Sequence, residues 1–140
     1  MVETYKKLTK YIPLVEVEEF GEWIVDNVND GSKEHPIQFP FVNYSIIIRE
    51  LQQDIYLFND EHPEYGLNNY YEILEQSHIS WDSESMLDAN IDELEGTTIM
   101  ALLIAAVRSE RFCDGAFLNF LEKGAVYKWL KRLKEIDQNC

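Results

Sequence analysis

The longest unbroken apolar run, Ile99–Val107 (IMALLIAAV), constrains this chain more than any other feature. A membrane-spanning helix needs about 20 apolar residues, so the run is far too short to cross a bilayer. It has no polar face to turn toward water either, which predicts a buried core helix, capped by Thr97 or Thr98 and continuing to Arg111. A chain of 140 residues, 46% apolar and 13% aromatic, supplies enough side chains to enclose such a helix in one domain spanning residues 1–140.

Helical periodicity dominates the remainder. Tyr44, Ile47, Ile48, Leu51, Ile55 and Phe58 recur with helical spacing, while Arg49, Glu50, Gln52, Gln53 and Asp54 fill the opposite side. That pattern predicts a helix from near Pro40 to Phe58. Val17, Phe20, Ile24 and Val28 suggest another over residues 14–28. Shorter helical turns are expected over residues 68–78 and 81–96, with Asn90 and Glu93 spaced like a capping box. Asp114 is placed to cap a helix that stops at Gly124. Val126, Trp129, Leu130 and Leu133 form the apolar face of the last one. No strand is expected. The predicted architecture is an all-α, single-domain orthogonal bundle of about six or seven helices.

Charge is distributed unevenly over a chain of net −14. Residues 1–107 hold 21 acids against 5 bases, whereas residues 108–140 hold 5 acids against 7 bases. Such a surface repels nucleic acid and anionic membrane and attracts basic partners. The N-terminus carries lysines but no apolar signal core, which predicts a cytoplasmic protein. Cys113 and Cys140 are a poor pair for a disulfide, and no cysteine spacing suggests a metal. His35, His62 and His78 lack zinc-type spacing. Residues 82–93 mimic a calcium loop only at their ends, since Met86 and Leu87 replace an oxygen ligand and the turn glycine. Neither a metal nor a cofactor is expected.

Two regions are candidates for recognition. Glu18, Glu22 and Asp26 would stack on one helix face, each like-charge step costing about 0.2–0.5 kcal/mol, unless they form an ordinary solvated face. Tyr56, Tyr65, Tyr70 and Tyr71 interleave with Glu61, Glu64 and Glu72, a combination suited to lysine and arginine side chains. Some of these rings are equally suited to the core. At the corner following the apolar helix, Arg108 and Arg111 are expected to pair with core-facing carboxylates as a structural latch, with Arg111→Ala more damaging than Lys131→Ala. Cys113 lies beside them, but no base or orienting acid is spaced to make it a nucleophile. Lys128, Lys131 and Arg132 read as the solvent side of the last helix.

The chain resembles a family of small bacterial and phage proteins of unassigned function. The resemblance is carried by Tyr11-Ile12-Pro13, by Arg108-x-x-Arg111-Phe112-x-x-Gly115, and by Gly124 and Leu130-x-x-Leu133. It implies one small domain and supplies no catalytic residues. It also implies that Phe112 plugs the core and that Gly115 lets the next helix pack closely.

The expected function is a non-catalytic interaction or regulatory protein that binds a basic protein partner through its acidic, tyrosine-rich surface. A variant of this is a nucleic-acid mimic; direct nucleic-acid binding and membrane binding are not expected, and homo-oligomerisation is left open. The alternative is a small enzyme or ligand-binding domain that uses the Arg108–Arg111 corner for an anionic small molecule.

Overall fold

In the computed structural model, the described residues are 4–17, 20–25 and 40–138. The apolar run lies at the centre, in α6 (Gly96–Ser109), where Thr98–Val107 are all buried. Around it pack α3 (Ile46–Glu61), α4 (Tyr70–Gln76), α7 (Ala116–Glu122) and α8 (Ala125–Gln138). The N-terminal helices α1 (Lys6–Thr9) and α2 (Ile12–Val17) lie against α8, and α5 (Ser83–Asp88) precedes the central helix. Short 3-10 turns at Pro63–Tyr65, Leu67–Asn69 and Ile91–Glu93 complete the connections. The domain is therefore mostly helical around one hydrophobic core.

Several expected faces are observed. Ile48, Leu51, Ile55 and Phe58 of α3 are buried, as are Val126, Trp129, Leu130 and Leu133 of α8. Ser45 caps α3 by accepting from the Ile48 N–H. At the start of α6 the expected threonine cap is replaced by Glu95, which makes no side-chain capping bond. Gly96 follows because a Cβ there would lie 1.9 Å from the Tyr5 Oη. Tyr5 in turn stacks on Phe58, its hydroxyl is 3.0 Å from that of Tyr65, and its backbone N–H donates to buried Asp137 at 2.9 Å. The two ends of the described chain are thereby tied together over the start of α6.

The expectation of no strands is corrected by an antiparallel pair, β1 (Gly21–Ile24) and β2 (Phe41–Tyr44), in register Gly21↔Tyr44 to Ile24↔Phe41. The predicted helix over 14–28 ends at Val17 in α2, and the predicted helix from Pro40 begins only at Ile46. The physical reason is local as well as tertiary. Glycine in a helix interior costs about 1 kcal/mol, whereas Trp23, Ile24 and Val25 favour extended backbone. At Gly21 the partner strand approaches so closely that a Cβ would lie 2.7 Å from the Asn43 carbonyl oxygen. On β2, Val42 and Tyr44 alternate inward, while Asn43 faces out and accepts from the Arg49 guanidinium.

Candidate functional site

The turn between α6 and α7 is held by Glu110 rather than by the arginines. Its Oε1 accepts from the Tyr44 hydroxyl at 2.6 Å and from the Phe117 N–H at 3.0 Å, and its Oε2 accepts from the Gly115 N–H at 2.9 Å. Tyr44 completes the set by accepting from the Leu118 N–H at 2.9 Å. One carboxylate and one phenol thus satisfy three of the donors that the start of α7 would leave unpaired. Burial raises the Tyr44 phenol well above its ordinary value, and the bond to Glu110 adds to the shift.

Asp114 is therefore not the cap expected from sequence. The residue before α7 is Gly115, at φ +88°, a left-handed conformation that costs other residues steric strain. It also lies against Trp23 of β1, whose ring a Cβ would meet at 2.3 Å. Gly115 does permit close packing, although its neighbour is the strand residue Trp23.

The latch expectation is corrected. Arg111 is exposed and Arg108 half-buried, and among the described residues neither guanidinium has a carboxylate within 4.0 Å. Instead Arg108 lies over the Tyr70 ring at 5.6 Å and Arg111 over the Tyr56 ring at 5.9 Å. Glu110, the carboxylate nearest the arginines in sequence, is taken up by the backbone of α7 and the Tyr44 hydroxyl. Phe112 is likewise no core plug: it is 77% exposed, because the turn after α6 carries it outward. Its ring meets half-exposed Trp81 edge-on at 5.7 Å, Trp81 meets Tyr70 at 5.2 Å, and Tyr70 meets Tyr71 at 5.8 Å. Beside this row of rings opens a cleft of about 530 Å³, lined by Trp81, Phe112, Cys113, Gly115 and Phe120 among others. Among the described residues Asp114 is the one formally charged residue in its lining, which also includes the exposed Cys113.

The acidic tyrosine surface expected from sequence separates into two parts. Tyr56, Tyr70 and Tyr71 join the arginines, with Tyr70 buried and Tyr71 exposed. Glu61, Glu64 and Tyr65 lie elsewhere. Glu61 pairs with Lys7 at 3.2 Å, and half-buried Tyr65 packs edge-on against Phe58. Glu64 lies 3.1 Å from the His62 ring, and its carboxyl is lowered first by its own backbone N–H and then by that ring. Glu72 is exposed on α4. The predicted stack of Glu18, Glu22 and Asp26 does not form on a helix, since Glu22 is an exposed residue of β1; Glu18 and Asp26 lie outside the described residues. Arg132 is no free surface cation, because it donates twice to the Leu94 carbonyl and pairs with Glu135 at 3.5 Å.

Sequence reasoning missed Glu110, Tyr44, Trp23 and Trp81. Glu110 stands one residue from Arg111 in the sequence, but its partners Tyr44 and Phe117 are 66 and 7 residues away. Among the described residues no group of three His, Cys, Asp or Glu side chains is arranged to hold a metal, and no helix is long and apolar enough to cross a membrane.

These features define a small, mainly helical domain with an aromatic- and arginine-rich corner built over a capped turn. The chain belongs to the family described as "Family of unknown function (DUF6508)", which matches residues 1–139. No curated protein and no solved structure matches it.

Proposed function

We propose that this protein is a non-catalytic binding module of the bacterial cytoplasm that docks a basic protein partner at the Trp81–Phe112 cleft. The observation carrying this reading is the 77% exposure of Phe112 beside half-exposed Trp81 and an apolar cleft. Large rings held outward are costly to leave wet, and clefts bordered by aromatic residues are where binding energy concentrates. The net charge of −14 supplies the selection for a basic partner by accelerating its encounter. In this reading the carboxylates steer and the rings anchor. Glu61, already paired with Lys7, contributes less than its place in the sequence suggested.

The test begins with a basic protein captured from lysate and compares its affinity for wild type and for Trp81→Ala/Phe112→Ala. Loss of an anchoring aromatic pair is expected to weaken binding by about 30-fold or more. Rising salt should slow association without abolishing it. Unchanged affinity in the double variant, with its helical circular dichroism intact, would reject the cleft as the docking site.

A further inference from the structure

The protein has 26 acidic residues and four arginines, yet two of those arginines, three residues apart, have no carboxylate partner among the described residues. Arg108 lies over the Tyr70 ring and Arg111 over the Tyr56 ring. A cation–π contact uses the charge of a guanidinium but none of its five N–H donors. The Nε–H of Arg108 is buried and has no acceptor among the described residues. Packing has therefore removed water from part of this guanidinium without supplying a hydrogen-bond partner.

Three phenols accompany the pair. Tyr70 stands edge-on to Tyr71 at 5.8 Å. The Tyr70 phenol is raised above its ordinary value, chiefly by burial, with Arg108 and Arg111 opposing the shift and Tyr56 and Tyr71 adding to it. In ring contacts, Tyr70 thus meets both Arg108 and Tyr71, and Tyr56 meets Arg111. Guanidiniums only donate and phenols can donate, so the cluster offers donors and positive charge on an otherwise acidic surface.

We propose that Arg108 and Arg111, with the hydroxyls of Tyr56, Tyr70 and Tyr71, form a binding site for a small oxyanion, a carboxylate or a phosphate. Planar guanidiniums match the paired oxygens of both groups. The surrounding negative charge repels anions that lack these directed contacts, so the site selects by geometry rather than by bulk attraction. This site adjoins the docking cleft, since Tyr70 meets Trp81 at 5.2 Å, but it takes a small anion through the arginines and not a protein through Trp81 and Phe112, so either can fail without the other.

The test uses the purified protein at low salt and follows the Arg108 Nε–H signal by nitrogen-15 NMR during titration with inorganic phosphate and, separately, succinate. A saturable movement of that signal is expected with at least one anion. A response to phosphate alone assigns a phosphoryl ligand, and a response to succinate assigns a carboxylate. Arg111 is exposed, so Arg111→Met should fold normally and bind about tenfold more weakly or worse. Absence of saturation with both anions would overturn the proposal, as would equal binding by wild type and Arg111→Met.

Discussion

Removing the Glu110 side chain tests whether one carboxylate holds the corner beneath both candidate sites. Glu110→Ala deletes acceptors for the Tyr44 hydroxyl and for the Gly115 and Phe117 N–H groups. A hydrogen bond to a charged group contributes about 1.5–3 kcal/mol net, and loss of a helix cap costs about 0.5–2 kcal/mol. The three bonds share one acceptor and the network is only part-buried, so they do not add in full. A loss of about 2–4 kcal/mol is expected. Glu110→Gln keeps one carbonyl oxygen and should lose about half as much. Arg111→Ala removes only an exposed ring contact, which contributes about 0.5–1 kcal/mol. Urea denaturation of the three variants beside wild type gives the ranking directly. For a domain of this size Glu110→Ala should also lower the melting temperature by about 5–12 °C. Amide exchange should quicken at Gly115 and Phe117 before it does in α8. Equal destabilisation by Glu110→Ala and Arg111→Ala would refute the assignment of Glu110 as the cap, and a larger effect at Arg111 would restore the arginine latch.

Two further outcomes follow from the packing and the phenols. Gly96→Ala gains at most about 1 kcal/mol of helix preference but drives a methyl into Tyr5, which costs about 1–3 kcal/mol; net destabilisation is expected, and a higher melting temperature would show that Tyr5 is not held there. The Tyr11 phenol, at 2.5 Å from Asp54, and the Tyr44 phenol are both raised above the ordinary 10.0, by burial first and then by their carboxylate partners. Their folded values exceed the unfolded ones, so their contribution is complete below pH 10 and is lost as pH rises beyond it. Urea titrations across that alkaline range should show wild type losing more stability than Tyr11→Phe/Tyr44→Phe; equal slopes would remove these phenols as the cause.

The central helix, the buried face of α3 from Ile48 to Phe58 and the face of α8 were legible in the sequence, because helical burial repeats every three to four residues along one segment. The run Ile99–Val107 needed no partner to be recognised: it had no side that water could accept. What periodicity could not carry was any choice between distant partners. Val17, Phe20 and Ile24 have helical spacing, but α2 ends at Val17 and the pairing of Gly21 with Tyr44 makes Gly21–Ile24 a strand. The same pairing brings Tyr44 beneath Glu110, and Trp23 of the paired strand packs against Gly115. The arginines illustrate the same limit. Twenty-six carboxylates made ion pairing the natural expectation, yet Glu110 is occupied by three donors at the start of α7, and the faces opposite Arg108 and Arg111 present Tyr70 and Tyr56. Sequence determined which segments coil and which sides they bury, since both depend on near neighbours. Only the tertiary structure decided which polar groups meet, because a hydrogen bond selects its partner by position within an ångström or so, and that position depends on how the whole core packs.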